Sequence, residues 1–227
     1  MNVRNATASF VCAVAMSAAA PSAFAQSSNI APAHKYAWGE NVGFINCRDA
    51  GSPSAAQGVR INATYLQGFA WGENIGWINF GDGAPDNGVS YANPTGGPVV
   101  GTPDFGVNRD LSTGHLSGYA WGENVGWINF AGGALATPVQ PARIDNAAHR
   151  VRGYAWGENI GWINLDDANV YVGTCAADYN GNGTLEVADI FAFLNGWFAG
   201  SPLADFNGGG LAVDDIFAFL NAWFAGC

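Results

Sequence analysis

Basic residues are scarce in this chain: 8 Lys and Arg stand against 18 Asp and Glu in 227 residues, a formal charge of −10. No Lys or Arg follows Arg152, while Asp178, Glu186, Asp189, Asp205, Asp214 and Asp215 crowd the last segment. Such a field attracts cations and repels nucleic acid and anionic membrane surfaces. Histidine is scarcer still. His34, His115 and His149 stand alone in turn-like settings, with no spacing that suits zinc or a catalytic triad. There is no phosphate-binding Gly-Lys-Ser/Thr loop and no dinucleotide fingerprint. Apart from the N-terminus, no long hydrophobic run offers a membrane span.

The N-terminus itself has a basic start at Arg4, a short apolar stretch around Phe10–Met16 and a small-x-small exit at Ala23-Phe-Ala25. That pattern is a secretory signal over 1–25, predicting an exported chain that begins near Gln26. Removing it leaves 7 basic residues against 18 acidic ones, a balance of −11. Export makes disulfides possible. Of four cysteines, Cys12 leaves with the signal, and Cys175 and Cys227 bracket the last segment. Their pairing is expected and would remove roughly 4 kcal/mol of unfolded-chain entropy. A Cys47–Cys175 pairing is the alternative; otherwise Cys47 is a free thiol or an intermolecular link.

Between these ends the chain repeats itself. Tyr36-Ala-Trp38-Gly-Glu40-Asn41, Phe69-Ala-Trp71-Gly-Glu73-Asn74, Tyr119-Ala-Trp121-Gly-Glu123-Asn124 and Tyr154-Ala-Trp156-Gly-Glu158-Asn159 each continue into Val/Ile-Gly-aromatic-Ile-Asn. The tryptophans are spaced 33, 50 and 35 residues apart, with a Gly/Pro-rich insertion at 81–88 and 94–98 in the long interval. Two short strands joined at Gly-Glu-Asn, preceded by a third in Val59–Asn62, Gly106–Arg109 and Ala142–Asp145, predict a mainly β array over 26–172. A sandwich or barrel is expected, with a propeller as the alternative. Stacked copies are expected to bury the aromatics as most of the core, at roughly 1.5–3 kcal/mol per ring. The asparagines suit left-handed turn positions. The competing reading puts tryptophans on the surface as platforms for sugar rings, with the glutamates bonding hydroxyls.

In the last segment, 174–227, Asp178, Asn180, Asn182, Thr184, Glu186 and Asp189 fall at loop positions 1, 3, 5, 7, 9 and 12, with Gly183 at position 6. This is the oxygen spacing of a calcium loop. An apolar run from Ile190 follows, and both parts return as Asp205-Phe-Asn207-Gly and the run from Ile216. The second loop has Asp205, Asn207 and Asp215 but is one residue short, with Gly209 at position 5. One good site and one poor or empty one are therefore expected.

This duplicated loop and helix resembles the dockerin module of secreted bacterial proteins, in the variant ending in Gly226-Cys227. The resemblance covers about the last quarter of the chain. It implies bound calcium, a helix after each loop, and docking onto a cohesin-like partner or cell-surface scaffold. The apolar helix residues Ile190, Phe191, Leu194 and Trp197, and their copies Ile216, Phe217, Leu220 and Trp223, exceed what helix-on-helix packing buries, so they are expected to bind the partner.

Catalysis is not expected. The glutamates of the β region sit at equivalent repeat positions, whereas glycoside hydrolysis needs two carboxylates in different surroundings. The expected function is an exported, non-catalytic, calcium-anchored protein displaying a β-repeat array. The alternative is a carbohydrate-binding or glycoside-hydrolase component of a polysaccharide-degrading assembly.

Overall fold

The computed structural model describes residues 27–93 and 104–227. The signal-like segment 1–25 and the second part of the insertion, 94–98, lie outside the described residues.

Each Gly-Glu-Asn motif folds as a hairpin: β1 Ile30–Gly39 with β2 Gly43–Asn46, β5 Phe69–Gly72 with β6 Gly76–Asn79, β8 Leu116–Gly122 with β9 Gly126–Asn129, and β12 Tyr154–Gly157 with β13 Gly161–Asn164. The turns close through Val42 N–H to Gly39 C=O and its three counterparts, all at 3.2 Å. The glycine after each turn has φ of 75–79°, the left-handed residue that three-residue hairpin loops require.

The hairpins pair side by side, β2 with β5, β6 with β8, β9 with β12, and finally β13 back onto β1. The result is a closed, eight-stranded antiparallel barrel, so the sandwich and propeller alternatives do not apply.

A second tier of short pairs extends the barrel at one end: β3 Arg60–Ile61 with β4 Leu66–Gln67, β7 Val107–Arg109 with the start of β8, and β10 Arg143–Asp145 with β11 Arg150–Arg152. β14 Val172–Thr174 pairs with both β11 and β1. The Asn29 side chain joins β1 to β3 in the manner of a strand, donating to Ile61 C=O and accepting from Ile61 N–H, both at 2.8 Å. The chain steps from the second tier into the barrel at Gly68, Gly118 and Gly153, all with φ of 81–89°. A Cβ at any of them would fall on the carbonyl of Gly58, Gly106 or Pro141.

The barrel inverts the expected placement of the large residues. Ala37, Ala70, Ala120 and Ala155 point inward with Ile45, Ile78, Ile128 and Ile163, and all are buried. An eight-stranded barrel is only wide enough for side chains of this size, and its interior here leaves about 30 Å³. The aromatics alternate with these residues and so face outward. Trp71 and Trp77 are 40% and 44% exposed, and Phe44 49%. Each hairpin crosses a pair of rings, Trp38 with Phe44, Trp71 with Trp77, Trp121 with Trp127 and Trp156 with Trp162, at centroid distances of 4.5–4.9 Å.

The asparagines also differ from expectation. None is left-handed; each reaches the neighbouring copy. Asn41 Nδ2 donates to Ile160 C=O, Asn74 to Val42, Asn124 to Ile75 and Asn159 to Val125, at 3.0–3.2 Å. The four bonds form a ring around the end of the barrel remote from the second tier. Cys47 is buried in the barrel core and free, which excludes the intermolecular link. Burial pushes its thiol up to about 12.

Two helices follow, α1 Val187–Phe198 and α2 Val213–Ala225. They pack through Phe193 and Phe219, both fully buried and stacked at 4.2 Å with an interplanar angle of 2°. No helix among the described residues is long and apolar enough to cross a membrane.

Candidate metal centre and docking face

The two loops are built alike. In the first, Asp178 Oδ2 accepts from Gly183 N–H at 2.8 Å, and Asn180 Oδ1 accepts from Asn182 N–H at 2.9 Å. Asn182 Oδ1 accepts from the N–H and hydroxyl of Thr184, at 2.8 and 2.6 Å, while its Nδ2 donates to Glu186 at 2.7 Å. These side-chain-to-backbone bonds coil the segment into successive turns. Asp189, fully buried at the third position of α1, accepts from Asn180 N–H at 3.1 Å and from Glu186 N–H at 2.9 Å. It both closes the loop and caps the helix.

The second loop repeats this geometry. Asp205 Oδ2 accepts from Gly210 N–H at 3.1 Å, and Asn207 Oδ1 from Gly209 N–H at 2.8 Å. Asp215, also fully buried, accepts from Phe206 and Asn207 N–H at 2.8 and 3.1 Å and from Ala212 N–H at 2.8 Å. Asp215 therefore holds the place of Asp189, and the missing residue falls between Gly210 and the helix.

In each loop the other oxygen of the first aspartate, Asp178 Oδ1 and Asp205 Oδ1, is buried without a hydrogen-bond partner among the described residues. A buried, unpaired carboxylate oxygen is costly unless a cation meets it. Burial raises the Asp178 pKa, and the neighbouring Asp189 adds to the rise; the Gly183 N–H and Arg60 oppose it. The first loop adds neutral oxygens on Asn180, Asn182 and Thr184, a hard-cation donor set. The second has nothing at Gly209, so its donor set is thinner. No group of three His, Cys, Asp or Glu side chains among the described residues is placed to hold a metal, so any ion there depends on those amide, hydroxyl and backbone oxygens.

The module is clasped by a Cys175–Cys227 disulfide, with Cα atoms 5.3 Å apart. Trp197 Nε1 donates to Ala212 C=O at 2.9 Å and Trp223 Nε1 to Glu186 C=O at 3.1 Å, so each helix ties down the start of the other. Ile190, Leu194, Trp197, Ile216, Leu220 and Trp223 are half-buried against the Phe193–Phe219 core. Phe191 and Phe217 point outward, 64% and 63% exposed. They belong to two equivalent stripes, Val187, Phe191 and Phe198 on α1 and Val213, Phe217 and Phe224 on α2, each residue 57–78% exposed. Offsets of four and eleven residues return to one side of an α-helix, so each stripe is a single face.

The loops face the second tier of the barrel. Gly183 packs on Ser27, Gly208 on Ala147, and Phe206 lies 4.5 Å from the His149 ring. Arg60 and Arg109 line the intervening cleft, and sequence reading did not single them out. Glu40, Glu73, Glu123 and Glu158 stand exposed at the opposite end. Compared with family models, curated proteins and solved structures, the chain matches none of them.

Proposed function

We propose that this is an exported, non-catalytic anchoring protein, in which a calcium-organised, dockerin-like module docks onto a cohesin-like surface partner and the barrel is the displayed cargo. The observation that carries the reading is the duplicated, outward-facing stripe of Val and Phe on two helices whose loops each hold a buried aspartate oxygen without a partner among the described residues. An apolar face presented in the same way by both helices suits a partner groove. Asp178, Asn180, Asn182, Thr184, Glu186 and Asp189 would hold calcium, whose chemistry here is to cross-link the loop so that α1 keeps its orientation. Saturating ion at about 100-fold above its dissociation constant would stabilise the fold by about 2.7 kcal/mol. The Cys175–Cys227 bond supports an oxidising compartment.

The test is calorimetry of calcium on the full chain, followed by capture of a partner from the organism's envelope and reconstitution of the pair from purified components. One strong calcium site lost in Asp178→Ala, and pairing lost both in chelator and in Phe191→Ser/Phe217→Ser, is expected. Pairing unaffected by chelator and by the double variant would overturn the reading. A second reading is favoured by the outward tryptophan pairs, which offer sugar-stacking surfaces around the barrel. Saturable tryptophan quenching by a soluble glycan would support it.

A further inference from the structure

The barrel repeats one outward ring pair four times, yet among the described residues only one pair of tryptophans has both rings open. In the first copy Phe44 stands where the others have the second tryptophan. In the third, Phe105 packs on Trp127 at 5.1 Å, and both Trp121 and Trp127 are half-buried. In the fourth, the short turn Gly132–Leu135 lies against Trp156, Pro138 stands beside Trp162, and Trp162 is half-buried. Trp71 and Trp77, in the second copy, are both exposed.

Their neighbours on one side are polar. Asn46 on β2 lies opposite Trp71 on β5, which lies opposite Trp77 on β6, so the three side chains form a row on the outer face. The chain after β2 brings Asp49 to the end of this row, and Asn46, Asp49, Trp71 and Trp77 line a shallow cleft of about 350 Å³. Both polar groups are fixed before any ligand arrives. Asn46 Oδ1 accepts from the N–H groups of Arg48 and Asp49, at 2.9 and 3.1 Å. Asp49 Oδ2 accepts from Lys35 Nζ and from Asn46 Nδ2, the latter at 3.0 Å, and its Oδ1 accepts from Arg48 Nη1 at 3.2 Å. The loosest of its donors is the exposed Ser54 hydroxyl at 3.4 Å, whose position another hydroxyl can take. The Asp49 side chain remains 27% accessible, so solvent reaches it. An acceptor held in this way spares a ligand the cost of ordering it.

We propose that this cleft binds a neutral pyranose with equatorial hydroxyls, its C–H face on the Trp71 and Trp77 rings and adjacent hydroxyls bonded to Asp49 and Asn46. Such a sugar is apolar on its faces and polar around its rim, and the cleft is apolar along two strands and polar at one end. A quaternary ammonium ion also seeks aromatic rings. Here the two rings touch, with centroids 4.7 Å apart at 65°, which leaves no slot between them for a cation. Lys35 and Arg48 also neutralise the carboxylate that would attract one. An acidic sugar would meet Asp49, the one charged side chain lining the cleft among the described residues. The proposal rests on the glycan reading of the barrel and is independent of calcium.

The experiment follows the indole Nε1–H signals of the labelled full chain by NMR while cellotetraose, whose ring hydroxyls are all equatorial, is added. Trp71 and Trp77 are assigned by the loss of their signals in Trp71→Phe and Trp77→Phe. Trp77→Phe is also the test variant, since the first copy carries Phe44 at the same position, and Trp127→Phe is the matched control beneath Phe105. Expected are saturable shifts of the Trp71 and Trp77 signals, affinity at least fivefold weaker in Trp77→Phe and tenfold weaker in Asp49→Ala, and affinity unchanged in Trp127→Phe. Binding weakened equally by Trp77→Phe and Trp127→Phe, or by Trp127→Phe alone, overturns the cleft and leaves the glycan reading standing. No response at any tryptophan overturns both. Wild-type affinity in Asp49→Ala, or equal shifts with choline or with oligoproline, overturns sugar recognition at this cleft.

Discussion

Trp77 and Ile78 are neighbours in one strand and separate the two possible barrels. If the aromatics were the core, truncating Trp77 would be the damaging change. In the observed barrel Ile78 is 1% exposed. It lies within a closed ring of strands that cannot collapse onto a void. Ile78→Ala should therefore fall in the upper part of the roughly 2–5 kcal/mol range for buried aliphatics. Trp77, 44% exposed, has a ring contact with Trp71 at 4.7 Å and a looser one with Phe69 at 6.3 Å. Losing a paired, half-buried ring amounts to about 1–2 kcal/mol. Urea unfolding of the full chain with both variants, read by hydrodynamic radius so that loss of the tryptophan does not alter the probe, gives the comparison at unchanged denaturant slope. A larger loss for Trp77→Ala than for Ile78→Ala would refute the inside-outside assignment.

Two further outcomes test the barrel. At Asp49, burial pushes the carboxyl pKa up, but the Asn46 amide, Lys35 and Arg48 outweigh it and hold the pKa at about 2. A depressed pKa contributes stability above the unfolded value near 3.9, lost as pH falls through about 2. Thermal melts should therefore fall more steeply for the wild type than for Asp49→Asn between about pH 4 and 2, and parallel curves would remove Asp49 from the acid response. Cys47, with its thiol at about 12, should resist iodoacetamide at pH 8 in the folded chain and react on unfolding, as peptide mass spectrometry would report. Rapid alkylation of the native protein would contradict its burial.

The hairpins were legible because Gly-Glu-Asn between aromatic and β-branched residues, with a glycine after the turn, is a local signal read within a dozen residues. The direction of the strands' faces was not. In Phe69-Ala70-Trp71-Gly72 both alternating faces are apolar, so a rule that buries the larger side chain gives the wrong face. Only the radius of the closed barrel decides, and closure depends on β13 meeting β1 across most of the chain. The loops were legible for the opposite reason: oxygen spacing is itself local. Their lengths also show why Asp215 matches Asp189, since both cap a helix from its third position while the loop before them absorbs the deletion.

What repetition conceals is where copies depart from each other. Lys35 stands in the first copy where Gly68, Gly118 and Gly153 make the step between tiers, and it forms an ion pair with Asp49 instead. Gly209 removes a donor that Asn182 provides. Arg109 replaces the isoleucine of its sister positions, with its Nε buried and without a partner among the described residues. Repeated residues answer to the fold, because every copy must make the same turn and fill the same radius. A residue that breaks the pattern toward higher cost answers to something outside it. By that criterion Arg109 ranks above the four identical glutamates, whose equivalence is explained by the turn they share.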